Sequence, residues 1–150
     1  DLEELIKVTN ANPQQFCLEI VERFQLSDVE KIQDIILKLK KIGFKIAIDD
    51  FGVKYSNLDL LDKIDYDIIK LDKHFIDEIH SSFVIRESIL FIGKIVEYYN
   101  QKIVMEGVEC QEQLQELMML YPGAIYVQGY LYSPPVSLEE IKHFTITNSN

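Results

Sequence analysis

The sequence has no tryptophan, two cysteines, three histidines, six glycines and four prolines in 150 residues. So little Gly and Pro excludes a collagen-like repeat and a low-complexity linker. Cys17 and Cys110 supply neither a disulfide framework nor a metal-ligand spacing, and a reducing cytoplasm is the expected home. Long apolar runs are also lacking: stretches such as Ile35–Leu37 and Ser88–Ile92 fall far short of the roughly 18 residues a spanning helix needs, so no membrane contact is expected from this segment. Residue 1 is Asp and no basic, apolar, small-residue pattern follows it, so no secretory signal is expected. Positive charge is scarce, with 15 Lys and Arg against 25 Asp and Glu, a net charge of −10. Such a balance repels a phosphate backbone and excludes sequence-independent binding of a DNA or RNA duplex. It leaves room for a phosphorylated ligand, because clustered carboxylates hold divalent cations that in turn bind phosphate.

What is present is apolar: 47% of residues are hydrophobic and 27% charged, enough for one domain with a sizeable core. Runs rich in Ile, Val, Phe and Tyr at Phe16–Val21, Phe44–Ile48, Tyr66–Leu71, Lys102–Met105 and Ala124–Val127 predict short buried strands. Between them, Val29, Ile32, Ile35, Ile36, Leu39 and Ile42 repeat at helical spacing and predict a helix over 28–42. Ser27 and Glu30 form its capping box and Gly43 its stop. A second box, Ser137 with Glu140, opens a final helix over 138–144; further helices are expected over 2–8, 56–63, 84–99 and 111–120. The polar tail 145–150 is expected to fray. Strand and helix alternate without a hairpin signal, which predicts an α/β fold with a parallel sheet covered on both faces. Five strands suit either an open doubly wound sheet or part of an eight-stranded barrel, though no Gly-x-Gly-x-x-Gly follows the first strand to favour a nucleotide-cofactor sheet.

Charged residues gather at the carboxyl ends of these strands: Glu19 and Glu22, Asp49 and Asp50, Lys70 and Asp72, Glu106 and Glu109, with Gln128 on the last. Adjacent carboxylates such as Asp49 and Asp50 at the end of an apolar strand repel one another and lose hydration. Either a metal offsets this, or one Asp caps a turn while the other stays solvated. Glu19 alone suits a half-exposed edge, and Lys70 alone a structural ion pair. Four strands that each place an acid or its counter-charge at one end are harder to explain as independent surface charges. Asp49-Asp50-Phe51-Gly52 contains the Asp-Phe-Gly of kinases, but their glycine-rich loop and His-Arg-Asp loop are absent. His74, His80 and His143 fall in or beside expected helices, and Cys17 is expected to be a small buried hydrophobe. Tyr98 and Tyr99 are expected to end a helix by packing, and Tyr130 and Tyr132 to stack on a base or fill the barrel rim.

In order along the chain, Leu18-Glu19-Ile20-Val21-Glu22, Asp49-Asp50-Phe51-Gly52-Val53-Lys54-Tyr55-Ser56-Asn57-Leu58, Ile69-Lys70-Leu71-Asp72, Glu106-Gly107-Val108-Glu109 and Gln128-Gly129-Tyr130 resemble the motifs of the EAL family of cyclic di-GMP phosphodiesterases. The resemblance runs over residues 1–144, a partial EAL domain followed by the tail 145–150. It implies the C-terminal five strands of a modified TIM-like (β/α)8 barrel. The name-giving Glu-Ala-Leu segment and an Asn on the next strand would lie before residue 1, so the 150-residue segment alone is expected to be inactive. For the complete domain the resemblance implies two-metal hydrolysis of cyclic di-GMP to linear pGpG with Mg²⁺ or Mn²⁺. By the same resemblance Glu19, Asp49, Asp50 and Glu106 are metal ligands, Lys70 orients the water and the scissile phosphate, and Glu106 accepts a proton. Glu22 resembles the anchor of the loop after Asp50, while Asp72, Glu109, Gln128 and Pro135 are implied to bind substrate or anchor loops.

The sequence departs from the family pattern in several places. Val53 and Lys54 replace the usual Thr-Gly, Asn57 a Ser, Val21 and Cys110 a Thr each, and Pro134 a residue that is often basic. The loop after Asp50 and the adjacent helix are implied to form a homodimer interface, and the altered loop sustains a second expectation, a receptor or protein-interaction module that does not cleave. The domain is expected in the cytoplasm, in a parent that other domains can anchor to a membrane.

Overall fold

In the computed structural model, residues 2–21, 29–52 and 58–141 are described. Five strands form one sheet in the order β1-β2-β3-β4-β5, with every neighbouring pair parallel. They are β1 (Cys17–Val21), β2 (Lys45–Phe51), β3 (Ile68–Leu71), β4 (Lys102–Glu106) and β5 (Tyr126–Gln128). The order never reverses, so the sheet has no switch point of the doubly wound kind and has the stepwise order of a barrel wall. The helices α1 (Leu2–Thr9), α2 (Val29–Ile42), α3 (Asp59–Lys63), α4 (Lys73–Asp77), α5 (Phe83–Tyr98), α6 (Gln111–Leu120) and α7 (Leu138–Ile141) precede, separate and follow the strands. Among the described residues, no helix is long and apolar enough to cross a membrane.

Burial follows the sheet. Ile46, Ile48, Ile69, Leu71, Ile103 and Met105 are sealed in the three central strands, and Ile36 of α2 with Ile85, Ile89 and Ile92 of α5 cover them. The edge strands β1 and β5 hold no fully buried residue. Cys17 is exposed, against expectation: among the described residues its strand pairs on one side only.

Helix ends follow their signals. Gly43, at φ 112°, takes the left-handed conformation that stops α2, and its amide donates back to the Leu39 carbonyl at 3.2 Å. Ser137 and Glu140 close the predicted capping box, with 2.7 Å from the Ser137 amide to Glu140 and 3.3 Å from the Glu140 amide to Ser137. Ser82 caps α5, accepting from the Ile85 amide at 3.3 Å. Ser27 of the first box, the tail 145–150 and His143 lie outside the described residues, as does the end of the helix expected over 138–144. Tyr98 and Tyr99 stand at the end of α5 as expected, their rings T-shaped with centroids 4.9 Å apart, but the pair is exposed, Tyr98 at 82%, and Tyr99 donates its hydroxyl to Asp62 at 2.6 Å.

Candidate active site at the carboxyl ends of the strands

Strand β2 runs three residues beyond the apolar stretch that announced it and carries Asp49 and Asp50 inside the ladder. Its register against β3 shifts there: Ile48 pairs with Ile69 and Phe51 with Leu71, so two aspartates lie opposite the single residue Lys70. This is the arrangement of a β-bulge, and Asp50 has φ 55°. A regular strand sends successive side chains to opposite faces. Here the irregularity lets both carboxylates join Glu106, from the end of β4, in a group whose ligand atoms lie within 4.8 Å of one another.

Lys70 binds this group together. Its ammonium lies 2.7 Å from Asp49 Oδ1, 2.9 Å from Glu106 Oε1 and 3.0 Å from Glu19 Oε1, joining three strands to its own. At 8% exposure it is the buried charged residue among those described. Burial pulls its pKa down, but the hydrogen bonds of Asp49, Glu106 and Glu19 outweigh burial and hold it well above the ordinary lysine value. Glu19 reaches Lys70 from the edge strand with its side chain half exposed. It stands outside the three-acid group.

The other expected residues spread along the same end of the sheet. Asp72, just past β3, caps α4 by accepting from the His74 amide at 2.8 Å. Gln128 pairs in register with Glu106 across the β4–β5 ladder. Gln128, Glu109 and Pro135 line one cleft of about 600 Å³, with Tyr130 and Ser133. Tyr130 and Tyr132 are 65% and 60% exposed, so neither ring is buried in packing. Glu22 and the Val53–Asn57 loop lie outside the described residues.

Sequence reasoning missed Lys73. Its ammonium pairs with Glu109 at 2.6 Å and borders the same cleft. Its stem lies over Gly107, which has φ 73° and where an added Cβ would come within 2.4 Å of Lys73 Cγ. The available signal was a basic residue directly after Asp72 at a strand's carboxyl end. A second cleft, of about 500 Å³, opens at the opposite end, beside Lys45, Ile68 and Lys102, which begin β2, β3 and β4. There Lys40 pairs with Asp65 at 2.6 Å and Asp67 at 3.1 Å, tying α2 to the approach to β3.

Four carboxylates, one ammonium and a neighbouring cleft at one end of a parallel sheet form an oxygen-rich site suited to a hard divalent cation and a phosphorylated ligand. Asp49, Asp50 and Glu106 fit such a cation: all three donors are carboxylate oxygens, and the three converge on one region.

Comparison with known proteins agrees with this geometry. The model of the EAL domain family matches residues 1–135. The chain is 36% identical over 136 residues to the probable cyclic di-GMP phosphodiesterase PdeA of Escherichia coli strain K12, covering 91% of this chain and 18% of that protein. Across the curated relatives it matches, the chain spans 17–26% of their length. Among solved structures it is similar to the EAL domain of Mycobacterium smegmatis DcpA, with a TM-score of 0.83 at 28% identity, over 95% of this chain and 63% of that one. It is also similar to Klebsiella pneumoniae BlrP1 in a manganese and cyclic di-GMP complex, with a TM-score of 0.78 at 30% identity, over 89% of this chain and 34% of that one. BlrP1 is also known in a calcium and cyclic di-GMP complex. The parallel sheet and its helices accordingly have the TIM-barrel-like fold of these structures.

Proposed function

This chain belongs to the EAL domain family, and on that premise we propose that in the complete domain it takes part in hydrolysing cyclic di-GMP to linear pGpG with Mg²⁺ or Mn²⁺. The observation that carries the proposal is the convergence of Asp49, Asp50 and Glu106 on one region beside the Lys70 ammonium. The relatives' names and complexes support the choice of ligand: PdeA is called a probable cyclic di-GMP phosphodiesterase, and BlrP1 holds the dinucleotide with manganese.

In this reading Asp49, Asp50 and Glu106, with Glu19 beside them, hold two cations. Bound there, these supply Lewis-acid polarisation of the phosphoryl oxygens and activation of a water at neutral pH. Mg²⁺ and Mn²⁺ suit an all-carboxylate donor set, whereas Zn²⁺ ordinarily recruits His or Cys. Glu106 takes the proton of the attacking water as the water oxygen bonds to phosphorus and the bond from phosphorus to the 3′ oxygen breaks, the leaving oxygen taking a proton from solvent. Lys70 orients the water and the scissile phosphate and offsets the charge that grows on the phosphoryl oxygens. Gln128, Glu109 and Pro135 receive the nucleotide in the cleft beside Glu106, while Asp72 fixes the β3–α4 turn and Glu22 anchors the loop after Asp50.

Two further features belong to the proposal. Phe83 and Val84, 75% and 69% exposed at the start of α5, border an apolar cleft with Leu58, the first described residue after the loop. This surface suits the homodimer contact. The domain acts in the cytoplasm, as residues 1–144 of a larger unit with a polar tail over 145–150. The competing reading, binding without cleavage, draws on Val53 and Lys54 in that loop.

Incubating the complete domain with cyclic di-GMP and Mn²⁺ or Mg²⁺, then separating the nucleotides, tests the proposal. Linear pGpG is the expected product. Intact cyclic di-GMP, bound at equilibrium yet uncleaved under either metal, favours the receptor reading instead.

A further inference from the structure

Resting on the metal-dependent reading above, we propose that Lys70 is the resident cation of this site: in the metal-free protein its ammonium fills the carboxylate cluster and competes with divalent ions for it.

An ammonium has three N–H donors and accepts nothing. Here three carboxylates, each from a different strand, lie at 2.7, 2.9 and 3.0 Å, as many as the ammonium has donors, and Asp49 accepts a hydrogen bond from it. A structural ion pair needs only one partner. Asp49 and Glu106 belong both to Lys70's ion pairs and to the three-acid group that fits a cation. Asp50 belongs to the cation group alone among the described residues. The ammonium and a divalent ion in the three-acid group therefore draw on the same two carboxylates, Asp49 and Glu106.

Lys70 cannot simply move aside into water. It sits on the central strand β3 and is 8% exposed, so an ammonium parted from its acids would remain desolvated and unpaired. A divalent ion entering beside Asp50 meets a like charge held within hydrogen-bond distance of Asp49 and Glu106. Two consequences follow. Without metal, Lys70 offsets the mutual repulsion of the acids and keeps the carboxyl ends of β1, β2 and β4 together. With metal, the ammonium gives up part of its hold on Asp49 or Glu106, and this cost is subtracted from the metal's affinity.

The test compares the complete domain with its Lys70→Met variant, which keeps the apolar stem and removes the charge. Calorimetric titration with Mn²⁺ is expected to show at least tenfold tighter binding by the variant. Its thermal midpoint in chelator is expected to fall below that of the unsubstituted protein, with Mn²⁺ recovering most of the difference. A variant with native circular dichroism and equal or weaker Mn²⁺ affinity overturns the proposal. An independent measurement needs no variant: in the unsubstituted protein, the Lys70 ammonium resonance is followed by ¹H–¹⁵N NMR during a Mg²⁺ titration. It is expected to be protected from solvent exchange without metal and to shift as the site fills. A resonance unchanged at saturating Mg²⁺ overturns the proposal even if Lys70→Met does not fold. Equal affinity in the two proteins removes the competition and leaves the metal reading standing; no Mn²⁺ binding by either removes both.

Discussion

Lys70 Nζ lies 2.7 Å from Asp49 Oδ1 across the one place where β2 and β3 fall out of register. The bulge and the ion pair depend on each other. The extra residue in β2 puts two aspartates opposite Lys70, and the ammonium offsets the cost of holding them at the end of a buried strand. The same two aspartates contribute to the group that fits a divalent cation.

The Asp49→Asn, Asp50→Asn double variant of the complete domain should therefore lose measurable Mn²⁺ binding by calorimetry. Asn keeps the volume and one carbonyl oxygen but removes the charge a hard cation requires. Unchanged affinity would place the metal elsewhere.

Lys70 also predicts a pH dependence. Its pKa in the folded protein stands above the unfolded value of about 10.4, because its three carboxylates outweigh burial. The stability it contributes is then fully present below about pH 10.4 and lost as pH rises through the higher folded value. The stability gap between the unsubstituted domain and Lys70→Met, measured by urea unfolding in chelator, should stay level from about pH 7 to 10 and narrow above that. A gap that closes between about pH 7 and 9 would mean that Lys70 is not held by these acids.

The five strands, the two long helices and the strand-end acids were legible in the sequence because each has a local cause. Val29, Ile36 and their neighbours repeat at helical spacing, Gly43 supplies the stop, and the acids interrupt apolar runs at matching points. The bulge was not legible. Strand periodicity predicts that Asp49 and Asp50 face opposite ways, and the apolar run that marks the strand ends at Ile48; only the partner strand, with Lys70, shows two aspartates opposite one residue. Helix α4 was missed because five residues are too few to show a period. The burial expected of Cys17 failed because, among the described residues, its strand has a neighbour on one side only, and strand order in space is not written in any one segment.

Lys73 is expected to serve substrate binding. The Lys73–Glu109 pair is nearly half exposed, and such pairs add little to stability. Lys73→Ala should leave the melting temperature nearly unchanged, raise KM for cyclic di-GMP about tenfold and alter kcat by less than about threefold. A loss confined to kcat would assign Lys73 to the chemical step instead.

Tyr121 joins α6 to α5 by lying against Gly93, where an added Cβ would meet its ring at 2.4 Å. Its hydroxyl donates to Glu97 at 2.7 Å, and burial together with that bond pushes the phenol up to about 12. Tyr121→Phe should cost about 1 kcal/mol, the worth of one hydrogen bond, and Gly93→Ala about 1–3 kcal/mol, because the ring must shift within a packed interface. Urea unfolding gives both values, and a neutral Gly93→Ala would show that the two helices are loosely packed.

The proposed chemistry requires the Glu106 carboxylate twice, to hold a cation and to take the proton of the water. The most direct measurement follows conversion of cyclic di-GMP to pGpG by the complete domain and its Glu106→Gln variant in Mn²⁺, beside equilibrium binding of the dinucleotide. Turnover by the unsubstituted protein is expected, with a loss of about 10²–10⁴-fold or more in kcat for the variant and affinity largely kept. An unsubstituted protein that binds the dinucleotide and never cleaves it, or a Glu106→Gln variant that cleaves it as fast, would overturn this role for Glu106 and its site.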